Sequence, residues 1–209
     1  MATLEKNKNK ANALLRELKK LFPHPKISLK YSSNWELLVA VILSAQCTDK
    51  KVNEVTEKLF KKYATLDDYV MAKPAEFEKG IHSTGFYRNK TKNILSSAKI
   101  VKGKYGGKIP NTMKEILTLP GVARKTANVV LGNAFGVVEG IAVDTHVCRL
   151  SKRFGLTKNT HPEKIERDLM AIMPKKEWFL FTYRLIEYGR KYCGARKCSI
   201  DHPLRRFDI

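Results

Sequence analysis

Apolar residues recur at three- and four-residue intervals along most of the chain, in runs long enough for helices. Residues 3–22 are the first such run: Ala11, Leu14, Leu15, Leu18, Leu21 and Phe22 make one stripe, and Pro23 and Pro25 stop it. Ser33 or Asn34 caps a second helix, whose Trp35, Leu37, Leu38, Val41, Ile42 and Ala45 leave almost no polar face and predict central burial. Gln46 and Thr48 mark where burial gives way to exposure. Asp49 is expected to cap a third helix, with Val52, Val55, Leu59 and Phe60 inward. Short helices fit residues 66–72 and 74–80, the latter with Pro74 at its first position. Residues 81–87 read as a loop tipped by Phe86 and Tyr87, with Arg88, Lys90 and Lys92 directly after. Ile94, Leu95, Ala98 and Val101 then make a helix that Gly106 and Gly107 end. Further on, Pro162 opens a helix carrying Ile165, Leu169 and Ile172, and Pro174 closes it. Trp178, Phe179, Phe181, Leu185, Ile186 and Tyr188 lie on a last helix from about Lys175 to Tyr192. No run alternates with a period of two, so the predicted class is all-α.

One stretch breaks this regularity and organises the rest. Ile116, Leu117 and Leu119 end a short apolar helix. Pro120 and Gly121 then force a turn, because proline fixes φ and glycine reaches values closed to other residues. A second helix starts at about Ala123, with Ala127, Val130, Leu131 and Ala134 on its apolar face. The product is a helix–hairpin–helix whose hairpin lacks bulky side chains, so backbone N–H groups at the helix start can approach an anion. Lys125 sits in the first turn of that second helix, where the helix dipole opposes a cation and favours a neutral, nucleophilic amine. Nineteen residues on, Asp144 opens another helical pattern with Val147, Leu150 and Phe154 inward. An N-cap stabilises a carboxylate in its charged form. A neutral amine and a held carboxylate form a plausible nucleophile and electrostatic partner.

Charge supplies the anion. Against 20 Asp and Glu stand 40 Lys and Arg, a net charge of +20, which favours a polyanionic partner over a merely solvated lysine-rich surface. Basic residues beside the aromatics Phe86 and Tyr87 suit a loop that holds a backbone while wedging into a base stack; packing of both rings into the core is the plainer reading. The longest apolar run, Leu37 to Leu43, is far too short to span a bilayer, and the N-terminus has no apolar signal core. The four cysteines are scattered rather than arranged as a secreted disulfide framework. An intracellular protein, cytoplasmic or nucleoid, without a membrane partner is expected.

The run Leu119-Pro120-Gly121-Val122-Ala123-Arg124-Lys125-Thr126-Ala127-Asn128, followed by Val143-Asp144-Thr145-His146, resembles the endonuclease III family of helix–hairpin–helix DNA glycosylases. Leu43 to Asp49 and Thr84 to Lys90 resemble that family's two lesion-probing segments, and the likeness covers nearly the whole chain. The resemblance implies two helical domains with the DNA groove between them: a six-helix barrel over residues 28–138, and a second domain from residues 1–27 plus 139–209. It implies a monomeric, bifunctional DNA glycosylase and AP lyase that removes oxidised pyrimidines from damaged double-stranded DNA. Lys125 and Asp144 would be its catalytic pair. Gln46 and Phe86 would fill the gap left by a flipped nucleotide, and Leu119, Gly121, Val122, Ala123 and Arg124 would form the DNA-binding hairpin. A mismatch-directed thymine or uracil glycosylase of the same superfamily, and a non-catalytic helix–hairpin–helix DNA-binding module, remain open at this point.

Three departures from the family pattern matter. Phe86 stands where an aliphatic residue is usual. Ala123 replaces the usual second hairpin glycine, which leaves phosphate contact by its N–H possible if its φ is helical. The family also usually ends in four closely spaced cysteines holding a [4Fe–4S] cluster, whereas here only Cys193 and Cys198 stand in that region. No iron–sulfur cluster and no metal are expected. Zinc on Cys193, Cys198 and His202 lacks an evident fourth ligand. The two thiols read as vestigial, with Trp178, Tyr192 and Phe207 packing to hold the segment.

Overall fold

The computed structural model describes residues 2–209. Among the described residues it is helical throughout, without a named strand. The helices are α1 (Ala2–Leu21), α2 (Asn34–Leu43), α3 (Asp49–Lys62), α4 (Leu66–Met71), α5 (Pro74–Ile81), α6 (Tyr87–Tyr105), α7 (Met113–Ile116), α8 (Arg124–Phe135), α9 (Thr145–Arg153), α10 (Pro162–Ile172) and α11 (Trp178–Lys191). Contacts divide the chain into two compact units, one of Met1–Ile27 with Val138–Ile209 and the other of Ser28–Val137.

In the Ser28–Val137 unit, α2 is the central helix. Every residue from Leu37 to Leu43 on it is buried, and each fully buried leucine contributes on the order of 2 kcal/mol. Ser33 caps it by accepting the Glu36 N–H. The helix stops at Leu43, short of the predicted Ala45, which is exposed. Thr48 rather than Asp49 caps α3: its extended backbone turns its hydroxyl to the Lys51 N–H, and Asp49 is already helical. Tyr63, Tyr69 and Phe77 pack ring against ring beneath α3 to α5, with Trp35 edge-on to Tyr69 at 5.2 Å. The predicted loop at 81–87 is shorter than the sequence suggests. Ile81 still belongs to α5, His82–Thr84 form a 3₁₀ turn, and Tyr87 begins α6.

The other unit packs Leu14 and Leu18 of α1 against Val147 and Leu150 of α9, Phe154 just past its end, and Phe181, Leu185 and Tyr188 of α11. Its buried charges are paired: Arg184 reaches Glu177 at 3.1 Å and donates to the Phe22 carbonyl, while Lys19 binds the other Glu177 oxygen at 2.6 Å. The last long helix begins at Trp178, because Lys175–Glu177 are wound as a 3₁₀ turn after Pro174.

The segment after α11 differs from expectation. Cys193 and Cys198 form a disulfide rather than two free thiols. Phe207 is buried and Tyr192 packs on the same core, but a polar cluster fastens the chain. The Asp208 carboxylate accepts from Arg153 Nε at 2.9 Å and meets His202 Nε2 at 3.0 Å. The opposite side of the His202 ring meets the Tyr188 hydroxyl, which accepts the Leu204 N–H. Ile209 N–H donates to the Arg153 carbonyl. Burial works against the Asp208 anion, yet hydrogen bonds and charge from Arg153 and His202 hold its carboxyl below the ordinary aspartate range.

Candidate nucleic-acid interface and active site

The hairpin joins α7 to α8 within the Ser28–Val137 unit. Gly121 has φ +79°, and a Cβ there would lie 2.9 Å from the Asn93 side chain, so glycine is needed both for conformation and for space. Ser97 Oγ donates to the Pro120 carbonyl at 3.0 Å. Leu119 and Val122 are buried, which leaves only their main chain for a ligand. Ala123 is extended rather than helical, with φ −90° and ψ 171°. Its φ lies in the region open to any residue, so the alanine costs no backbone strain. From Arg124 the chain is helical, and the first-turn N–H groups of a helix have no intrahelical acceptor and sit at the positive end of its dipole. Lys125 is exposed in that turn, beside a half-buried Arg124. Hairpin and helix together present bare backbone N–H groups beside an accessible amine, an arrangement suited to an anion.

Gln46 and Phe86 share a backbone property that no spacing announces. They are the non-glycine residues with positive φ among the described residues, at 53° and 49°. Left-handed backbone costs a non-glycine residue roughly 1–2 kcal/mol, so both are held against local preference. Phe86 is 62% exposed, which removes the reading in which it packs into the core. Tyr87, next to it, stacks on His82 with centroids 4.5 Å apart. Gln46 is exposed as well.

Lys90 stands in the sequence within a run of cations suited to a surface, yet it is buried, at 4% exposure. Its Nζ donates to the Leu43 carbonyl at 2.8 Å and the Thr84 carbonyl at 2.9 Å. Both carbonyls end helical turns, that of α2 and that of the 3₁₀ turn, where acceptors are left over and the dipole is negative. Burial lowers the Lys90 pKa, with the Cys47 sulfur partly offsetting this. The sequence does carry a signal for this: Lys90 lies four residues before Ile94, on the apolar stripe of α6.

Asp144 belongs to the other unit. Its carboxylate caps α9 by accepting the Val147 N–H at 2.8 Å. Helix α11 braces this segment on both sides. Thr182 Oγ1 donates to the Ala142 carbonyl at 3.0 Å, and Gly189 leaves room for the His146 ring, whose Nδ1 would be 2.3 Å from an added Cβ. Neither bracing residue stands out in the sequence.

Cys193 and Cys198 do not supply the four thiolates that a [4Fe–4S] cluster needs, and they bind each other. Cys47 and Cys148 are free and lie elsewhere, beyond α2 and on α9. His202 is engaged by Tyr188 and Asp208, and no group of three or more His, Cys, Asp or Glu side chains suited to a metal occurs among the described residues. A cleft of about 570 Å³ lined by Trp35, Tyr105, Lys108, Glu115 and Phe135 contains none of the predicted site residues. No helix among the described residues is long and apolar enough to cross a membrane.

A helix–hairpin–helix on an all-helical scaffold defines a class, and comparison with known proteins gives the same one. Residues 39–175 match the HhH-GPD superfamily of base excision DNA repair proteins. The chain is 50% identical to endonuclease III of Synechocystis sp. over 200 residues, covering 93% of this chain and 91% of that protein. It is 48% identical to endonuclease III of Bacillus subtilis over 177 residues, covering 84% and 80% respectively. A solved structure of a trapped endonuclease III–DNA covalent intermediate superposes with a TM-score of 0.92 at 44% identity, covering 96% of this chain and 95% of that one. The chain belongs to the endonuclease III family of the HhH-GPD superfamily.

Proposed function

We propose that this base excision DNA repair enzyme, a DNA glycosylase and AP lyase, removes oxidised pyrimidines from damaged double-stranded DNA, with Lys125 as nucleophile and Asp144 as its charged partner. The observation that carries the reading is the exposed Lys125 amine in the first turn of α8, beside a hairpin whose bare backbone suits a phosphate. The Lys125 amine attacks C1′ of the damaged nucleotide, and the bond from C1′ to the base breaks as the base leaves with a proton. The sugar ring then opens: the C1′–O4′ bond breaks, O4′ takes a proton and the lysine nitrogen lone pair forms the C1′=N bond of a protonated Schiff base, which acidifies the C2′ hydrogen. Loss of that proton expels the 3′ phosphate by β-elimination, and water later releases the lysine. Asp144, pre-oriented by its hydrogen bond to Val147, stabilises positive charge on the sugar.

Gln46 and Phe86 take the space of the extruded nucleotide, recovering part of the stacking lost on flipping. Gly121, Val122 and Arg124 hold the phosphate backbone through the hairpin, while Ala123, extended rather than helical, lacks the backbone conformation that contact by its own N–H requires. The enzyme works as a monomer inside the cell and without an iron–sulfur cluster, a reading supported by the two remaining C-terminal cysteines being spent on each other. Stoichiometric iron in the purified protein would overturn the last point.

The test is borohydride trapping on a duplex carrying one abasic site. Wild type is expected to form a stable protein–DNA adduct. Lys125→Ala is expected to form none, and to lose strand cleavage by on the order of 10³-fold or more, while still binding the duplex. An adduct of undiminished yield with Lys125→Ala would move the nucleophile elsewhere. A folded, DNA-binding wild type that forms no adduct would reduce the chain to a monofunctional glycosylase or a binding module.

A further inference from the structure

One face of α6 meets three irregular segments in succession. Lys90 holds the carbonyls of Leu43 and Thr84, Asn93 packs where Gly121 must lack a side chain, and Ser97 donates to the Pro120 carbonyl. The spacing of 90, 93 and 97 is three then four, so these residues form a single stripe. The segments they meet carry Gln46, Phe86 and the hairpin. Lys90 stands apart within the stripe. It is a buried ammonium that donates to two backbone carbonyls, and each carbonyl lies two or three residues before a strained position. Leu43 precedes Gln46 by three residues and Thr84 precedes Phe86 by two. A left-handed phenylalanine exposed to solvent has little of its own to hold it there.

We infer that Lys90 is the positioning residue that ties the Gln46 and Phe86 loops into one two-pronged wedge, setting their spacing for insertion where a nucleotide leaves the duplex. The inference rests on the wedge role given to Gln46 and Phe86 above. Lys90 touches no DNA in this role. It acts through two carbonyls at helix ends, whose negative dipole ends make burial of a cation tolerable without a carboxylate. One rigid ammonium shared by both loops means that neither prong relaxes alone. Binding energy is therefore not spent on ordering them at the moment of insertion.

The experiment compares two substrates for each variant: a paired duplex lesion, and the same lesion in an unpaired, single-stranded context where no stack has to be opened. Lys90→Met keeps the stem and removes the donors. Lys90 as a positioning residue predicts a drop in duplex excision of roughly 10- to 100-fold, the scale of the flipping cost, with unpaired cleavage within about 3-fold of wild type. Combined with Phe86→Ala, the Lys90→Met loss on duplex should shrink, since both act through one wedge. Equal losses on the two substrates, or no loss on duplex, would overturn the inference. Should Lys90→Met fail to fold, Lys90→Arg, whose wider head cannot meet both carbonyls as the ammonium does, is compared on the same two substrates. A loss confined to duplex supports the inference, and an equal loss or none overturns it. Phe86→Ala alone separates the two readings: if it leaves duplex excision unchanged, the wedge role itself fails, whatever Lys90 does.

Discussion

The α7–α8 hairpin and the segment after α11 are both irregular chain, and they are fixed in opposite ways. The hairpin is set by covalent geometry: a proline, a glycine at φ +79° and a buried residue on either side of them. Side chains only brace it, as Ser97 and Asn93 do. The C-terminal segment is locally constrained only at the Cys193–Cys198 disulfide; beyond it the chain is held by side chains that reach back to earlier helices, Arg153 to Asp208 and Tyr188 to His202. A segment of the first kind changes little with solution conditions. One of the second kind depends on the ionisation of its members. In the proposed function, phosphate is gripped by the insensitive segment.

The strongest way to break that contrast is at Gly121. Gly121→Ala should lower stability by about 2–3 kcal/mol in chemical denaturation and weaken duplex binding, since the φ and the Asn93 contact both oppose a methyl group. Neutral behaviour would mean that the hairpin adapts as readily as the tail. Next in size, Asp208→Asn should cost about 1–2 kcal/mol, leaving Arg153 and His202 with a weaker acceptor while duplex cleavage persists.

The same group gives the pH dependence its sign. The Asp208 pKa is lowered in the fold, so its contribution is complete above the unfolded value of about 3.9 and is lost as pH falls through the folded one. Below about pH 4 wild type should therefore lose more stability than Asp208→Asn, and parallel acid curves for the two would remove Asp208 from the network. The smallest expected effect is a gain. Phe86→Gly relieves a left-handed backbone and should stabilise by about 0.5 kcal/mol once the entropy of glycine is set against it, while duplex excision falls. A loss of stability on that substitution would show that the ring contributes more than the strain costs.

The same contrast decides what can be read from the residues alone. Pro120-Gly121 and the stripe Ala127, Val130, Leu131 announce the hairpin and α8, because turn chemistry and period are local properties. Asp144 announces itself as a cap, and it caps α9. Ends of elements are less legible. Asp49 looks as good a cap as Thr48, and only the extended backbone of Thr48 separates them. Ala45 continues an apolar stripe that the helix has already left at Leu43. The left-handed backbone at Gln46 and Phe86 is hidden, since neither residue type favours it and the compulsion comes from elsewhere. The burial of Lys90 shows only in its place on the apolar stripe of α6, against the surface-like cations around it, and Arg153 with Asp208 lie 55 residues apart, where no periodicity connects them.

Lys90 grips main-chain oxygens, which every amino acid carries. The anchor is therefore indifferent to the identity of the side chains at 46 and 86, and those two positions can be exchanged while their mounting stays in place. On the wedge role proposed for Gln46 and Phe86, loops mounted in this way behave as interchangeable tips on a fixed handle, so new preferences can be explored by single substitutions at the tips without rebuilding the frame.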